Sequence, residues 1–284
     1  MSKKFNPIIQ VNDDGLKLPD PVGVWSEKKF ELVGGYCEIF NAGIKNKFKN
    51  RVYIDLFAGA GFAPIKGKNK ILKSSSLISL SIPTPFTKYI FCEMDKIKIE
   101  ALEKRARSEF PNIQMVFIQG DSNKNVDSVI EEVMKLGPST ISFCFVDPFS
   151  LNLHFETIER LSKLGRIDFL ILLALMMNAN RNLHIFILEQ SNVIDLFIKK
   201  NDWREAFFKG EARKEDFIKV LADTYDQNML ALGYKVKNEG LKPKVDADEF
   251  NLALYYLAFY SKSALGNKFF SEIQKYHIPQ QKLF

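Results

Sequence analysis

The sequence predicts an α/β protein built on a mostly parallel sheet, and three observations carry that prediction. First, five short runs (residues 51–57, 88–93, 114–119, 141–147 and 168–174) are apolar throughout rather than alternating, as strands covered on both faces are. Second, helical periodicity fills the gaps between the later runs, over residues 96–110, 125–136 and 155–165. Strand, helix and strand repeated in this way require right-handed crossovers and parallel pairing. Third, the first run passes directly into a glycine-bearing turn, Ala58-Gly59-Ala60-Gly61, where a parallel sheet opens to a ligand.

The remaining segments attach to that core. Residues 1–23 hold three prolines and several turn formers and read as an irregular arm. From Ser26, a plausible N-cap, Phe30, Val33, Cys37 and Phe40 recur at helical spacing. The cofactor-binding core is expected over residues 24–184 and a helical insertion over 185–232, with Trp203, Phe207 and Phe208 on its apolar face. Residues 233–241 and 252–261 read as a final strand pair, and 267–276 as a closing helix, so that 233–284 completes the core.

Composition narrows the class. Hydrophobic residues make up 46% and charged residues 26%, which excludes a disordered chain, and the 25 phenylalanines predict a core packed through aromatic rings. A net charge of +6 permits a polyanionic partner such as nucleic acid. Cys37, Cys92 and Cys144 are isolated in apolar surroundings with no partner at metal-ligand spacing, which predicts buried thiols, a reducing cytoplasmic compartment and no metal site. The first residues lack the apolar run of a signal peptide, and the most apolar stretch, residues 169–177, is too short to span a bilayer, so no membrane association is expected.

Candidate chemistry gathers at the strand ends. Asp55, Phe57, Gly59 and Gly61 form the first turn, where the glycines let the backbone turn sharply and approach a ligand. The position three after Gly61 is Pro64, which departs from the dinucleotide fingerprint and argues against NAD. Glu93 closes the second run and either holds a ribose diol or, with Asp95, caps the next helix. Asp121, after the third run, either accepts from an adenine amino group or caps the helix near Asn125. Asp147-Pro148-Phe149 closes the fourth: its carboxylate suits a nucleophile that sheds a proton and its ring a planar substrate, against a plain structural turn.

Between residues 57 and 92 there are five lysines and no acid. Lys66, Lys68, Lys70 and Lys73 therefore describe a basic insertion beside the crevice, which either draws in phosphates or is simply solvated. Hydrolase chemistry is disfavoured: there is no G-x-S-x-G elbow, and only His154, His184 and His277 serve as candidate bases. Two other classes stay open. One is a binding component of a two-protein, phage-related system. The other is a metal-dependent nuclease with Asp55, Glu93, Asp121 and Asp147 converging on a cation.

Taken in order, Trp25, Lys28 and Tyr36 on the first helix, then YIDLFAGAG, YIFCEMD, GDSN, FVDPF, the Asp168 strand, Arg181-Asn182 and YYLAFYSK…GNKFF resemble the three-Cys-motif partner (TcmP) family of class I S-adenosylmethionine-dependent methyltransferase-like proteins. The resemblance spans roughly residues 24–275. It implies a Rossmann-like methyltransferase core with an antiparallel last strand, S-adenosylmethionine as cofactor, and a partner protein bearing the three-cysteine motif; Cys37, Cys92 and Cys144 are not that motif. By the general methyltransferase pattern, Asp55, Phe57, Gly59 and Gly61 would surround the methionine part of the cofactor, Glu93 the ribose and Asp121 the adenine. Asp147-Pro148-Phe149 stands where amino-methyltransferases carry Asp-Pro-Pro-aromatic. The chain departs from the pattern in lacking the second proline, and Ser74-Ser75-Ser76 replaces the family's glycine-serine-proline turn. The implied function is methyl transfer to a nucleic acid or a partner-bound substrate.

Overall fold

The computed structural model describes residues 5–173, 175, 191–200, 203–208, 214–235, 244–247 and 252–277. The chain opens with β1 (Gln10–Val11), α1 (Ser26–Ile44), β2 (Asn50–Asp55), β3 (Phe62–Pro64), β4 (Ile71–Lys73) and α2 (Ser75–Leu80). It continues through β5 (Lys88–Glu93), α3 (Lys96–Glu109), β6 (Met115–Gln119), α4 (Val126–Met134), β7 (Thr140–Val146), α5 (Phe155–Ser162) and β8 (Ile167–Leu173). The last described elements are α6 (Val193–Ile198), α7 (Trp203–Phe208), α8 (Lys214–Ala231), β9 (Lys244–Ala247), β10 (Leu252–Tyr260) and α9 (Ala264–His277).

Seven strands form the main sheet in the order β6-β5-β2-β7-β8-β10-β9. The first five run parallel; β10 is antiparallel to β8, and β9 to β10. The predicted α/β fold, with a mostly parallel sheet and an antiparallel strand toward one end, is the observed one. The five parallel strands begin and end within about two residues of the apolar runs, because only strands buried on both faces sustain such runs.

Residue alternation separates two cores. Val52, Ile54, Ile90, Cys92, Cys144, Val146, Phe169 and Ile171 face a largely aliphatic layer built with α4, α5, α6 and α8. Tyr53, Tyr89, Phe91, Phe143, Phe145, Leu170 and Leu172 face α1, α2, α3 and α9. That second face is a continuous array of rings: Tyr53 and Phe143 lie 5.9 Å apart, Phe143 and Tyr36 4.7 Å, Tyr36 and Phe259 4.9 Å, and Phe259 and Phe270 4.5 Å. The first three pairs are tilted and Phe259 stacks on Phe270, so the phenylalanine-rich composition is spent largely on one side of the sheet. All three cysteines are buried free thiols, as expected.

Several expectations are corrected. The arm is not wholly irregular: β1 pairs with β4, and with β3 they make a separate three-stranded antiparallel sheet. The lysine insertion is the hairpin of that sheet rather than a loop hanging from the crevice. Ser26 is the first residue of α1 rather than its cap. Backbone bonds from Ser26 N to Gly23 O and from Glu27 N to Val24 O close the turn, and the Ser26 hydroxyl has no partner among the described residues. The strand paired with β10 is Lys244–Ala247; within the expected 233–241 strand, Lys235 forms an isolated bridge to Ser261, and residues 236–241 lie outside the described residues. Arg181, Asn182 and His184 also lie outside them, as do the side chains of Phe207 and Phe208, while Trp203 is buried. Among the described residues no helix is long and apolar enough to cross a membrane.

Candidate functional site

The sheet order reverses at β2, which has β5 on one side and β7 on the other. The connections from these strands leave toward opposite faces, so a crevice opens at their carboxyl edge, the place where doubly wound sheets hold ligands. The turn after β2 lies there, and its backbone is closely determined. The carbonyl of Ala58 accepts from Ser76 Oγ at 2.7 Å, that of Ala60 from Arg105 Nη1 at 2.6 Å and that of Gly61 from Ser74 N at 2.7 Å. Ser122 Oγ donates to the Leu56 carbonyl. Ser74 and Ser76 thus fasten this turn from the start of α2.

Asp55 sits beneath the turn instead of facing a ligand. It is fully buried and accepts from Ser75 Oγ at 2.8 Å, Tyr53 Oη at 3.2 Å and Phe57 N at 3.2 Å. Burial dominates over these donors and pushes its carboxyl up to about 7. Phe57 is half-buried against the aliphatic core. Gly59 and Gly61 both adopt positive φ, +63° and +87°. A Cβ at Gly59 would meet open space, whereas one at Gly61 would lie 3.0 Å from Leu77 and Leu102 side chains. Gly59 therefore keeps the crevice floor clear, and Gly61 makes room for packing.

Glu93 joins two strand ends. Its Oε2 accepts from Gly59 N at 2.9 Å and its Oε1 from Asp95 N at 2.9 Å. Asp95, not Glu93, caps α3, accepting from Ile97 N and Lys98 N. Asp121 Oδ1 accepts from Asn123 N at 2.9 Å and Asn123 Nδ2 at 3.0 Å, which folds the following turn on itself; it does not cap α4. Asp147 accepts from Lys29 Nζ at 2.5 Å and keeps 21% of its side chain exposed. Pro148 is buried, while Phe149 is 91% exposed.

The four lysines do not act together. Lys73 is buried, bonded to Glu109 and to Ser81 Oγ. Lys68 and Lys70 reach Glu27 of α1 at 3.5 and 3.2 Å, and Lys66 is exposed. The fifth lysine of the stretch, Lys88, is buried against Glu132. Among the described residues no group of three or more His, Cys, Asp or Glu side chains could hold a metal ion, so the strand-end acids do not gather as a nuclease centre would require.

Four residues of the site carry no motif of their own in the sequence. Arg105 of α3 forks onto Asp14 at 2.6 and 2.8 Å, donates to Ala60 O and lies 4.1 Å over the Phe62 ring, clamping the arm to the glycine turn. Lys29 falls on the stripe of Val33, Tyr36 and Cys37, and a cation within an apolar stripe is the signal that would have singled it out; the same holds for Arg105 beside Leu102 and Ala106. Met94 and Ile97, 64% and 61% exposed, follow Glu93 and offer an apolar shelf at the crevice edge.

S-adenosylmethionine fits this donor set. Open space beside Gly59 admits a ligand to the turn, the Glu93 carboxylate keeps further lone pairs for a diol, and the Met94–Ile97 shelf suits a planar base. A cavity of about 290 Å³ lies elsewhere, at the amino edge of the sheet, between Phe40, Ile44, Ile141, Asp168 and Phe269.

No protein-family model matches the chain, and no curated protein does. Among solved structures it is similar to Trm1 from Pyrococcus horikoshii in complex with S-adenosyl-L-methionine, at 12% identity and a TM-score of 0.43, over 92% of this chain and 63% of that one. The chain thus spans less than two thirds of Trm1. It is also similar to M. jannaschii TYW2 in complex with AdoMet, at 12% identity and a TM-score of 0.37, over 92% of this chain and 89% of that one. The Legionella pneumophila protein LPL1258 is similar at 10% identity and a TM-score of 0.39, over 51% of this chain and 68% of that one.

Proposed function

We propose that the carboxyl-edge crevice binds S-adenosylmethionine and that the protein transfers its methyl group to a nucleic acid or a partner-bound substrate. The observation that carries this reading is the bond from Gly59 N to Glu93 Oε2, made where the strand order reverses. It couples a glycine turn open to a ligand with a carboxylate able to hold a diol. In this reading Gly59 and its neighbours border the methionine part, Glu93 holds the ribose, and Asp121 with the Met94–Ile97 shelf borders the adenine. Asp55 supports the turn from below.

The cofactor supplies an electrophilic methyl group; the chain supplies position. Asp147 accepts a hydrogen bond from the incoming N–H or O–H and takes up the proton released as the new bond forms. Phe149 offers its exposed ring to a planar acceptor, and Lys66 offers charge to phosphates near the arm. The motif-order resemblance supports a partner protein bearing a three-cysteine motif.

Calorimetric titration of the full chain with S-adenosylmethionine tests the reading. Micromolar binding, lost in Gly59→Val, is expected; no binding by a chain shown to be folded would overturn it.

A further inference from the structure

The cation at the acceptor end of the crevice is placed with unusual care. Lys29 Nζ lies 2.5 Å from Asp147 Oδ2, with ring centroids of Trp25 at 4.8 Å and Phe30 at 5.2 Å, and only 6% of its side chain is exposed. An ammonium taken from water to this depth loses much of its hydration, and its partner recovers that only in part. A packed aliphatic side chain would serve α1 at least as well, since its stripe neighbours Val33 and Cys37 are fully buried by packing alone. The pair therefore points to a use beyond holding the helix.

Resting on the cofactor reading above, we infer that Lys29 is a positioning residue: by pairing with Asp147 it keeps this end of the crevice electrically neutral, and so sets the discrimination between S-adenosylmethionine and S-adenosylhomocysteine. The two ligands differ by one methyl group and one positive charge, which the sulfonium carries and the thioether lacks. A lone Asp147 carboxylate would hold the cationic ligand too well, stabilising the ground state of a reaction in which that charge disappears. A lone Lys29 ammonium would reject it. Paired, the two groups leave the sulfonium neither trapped nor repelled, and because Lys29 bonds Oδ2, Asp147 keeps Oδ1 for the acceptor. In the transfer itself the acceptor's bond to the methyl carbon forms as the carbon–sulfur bond breaks; the sulfur keeps that electron pair, and the acceptor's proton passes to Asp147. Lys29 exchanges nothing; it fixes the charge against which the step runs.

The test is the ratio of affinities for S-adenosylmethionine and S-adenosylhomocysteine, measured by calorimetry on the full chain and four variants. Lys29→Met should raise the ratio on the order of fivefold, and Asp147→Asn should lower it by a similar factor, as one uncompensated charge at short range in a partly desolvated crevice would. Lys29→Arg and the double variant should stay within about twofold of the parent, because charge balance is kept. A merely structural pair would weaken both ligands together and leave the ratio fixed. An unchanged ratio in both single variants, or a shift in the same direction, overturns the inference while the cofactor reading stands. If the parent binds neither ligand, the cofactor reading falls and this inference with it. Should Lys29→Met fail to fold, Asp147→Asn against the double variant gives the same decision.

Discussion

The two edges of the sheet differ in what surrounds their carboxylates. At the amino edge Asp168 borders the 290 Å³ cavity, accepts from Tyr36 Oη at 3.0 Å and is walled by Phe40, Ile44 and Phe269. At the carboxyl edge Glu93, Asp121 and Asp147 stand partly exposed around a glycine turn with open space beside it. This cavity and the partly exposed acids thus lie at opposite ends of the sheet. The one acid lining the amino-edge cavity is committed to Tyr36 and Ser261. Asp55 shows that being at the carboxyl edge is not enough either: with three donors and no exposure it belongs to the scaffold. A strand-end acid becomes available to a ligand only when the fold leaves it lone pairs and water.

The sharpest contrast to break is between these buried acids. Asp55→Ala strands two hydroxyls and an amide and should cost on the order of 3 kcal/mol, read from the denaturant midpoint, whereas Asp168→Ala should cost about half as much. Equal losses would erase the distinction. The pH dependence comes next. Burial raises the carboxyl of Asp55 from 3.8 to about 7 and that of Asp168 from 3.8 to about 6. Because the folded values lie above the unfolded one, each acid's contribution is fully present below about pH 4 and is lost as pH rises through its folded value. Thermal melts across pH 4–8 should therefore show the parent losing stability relative to Asp168→Asn up to about pH 6, and relative to Asp55→Asn up to about pH 7. A pH-independent difference would refute this.

Smaller effects separate the two glycines and the lysines. Gly61→Ala forces Leu77 and Leu102 apart and should cost about 2 kcal/mol, against about 1 kcal/mol for Gly59→Ala, where only the positive φ is penalised. Melting temperatures in which Gly59→Ala is the worse would contradict the assignment of floor and packing roles. Lys73→Ala should destabilise by about 1–2 kcal/mol through the orphaned Glu109 contact and lost packing, while Lys66→Ala should stay within about 0.5 kcal/mol. Chemical denaturation of the pair distinguishes them, and a silent Lys73 variant would return it to the solvated class.

What the sequence revealed follows the same physics. The five parallel strands were legible because each is buried on both faces and so apolar at every position. The turn was legible because Gly59 and Gly61 need positive φ there. Charge partners were not: Lys29 and Asp147 are 118 positions apart, Arg105 and Asp14 are 91, and Lys73 and Glu109 are 36. A run of lysines without nearby acids in sequence read as one basic patch, although folding brings an acid from α1, α3 or α4 to four of the five. The arm was equally opaque, since β1 has two residues and its place depends on β4 and on Arg105.

Hydrogen exchange followed by mass spectrometry, with and without saturating S-adenosylhomocysteine, tests most directly that the ligand site lies at the carboxyl edge. Slowed exchange over residues 56–62, 92–97 and 119–123, with residues 40–48 and 264–269 unchanged, is the predicted result. Protection confined to the segments around Phe40 and Gly266, beside the amino-edge cavity, would contradict it.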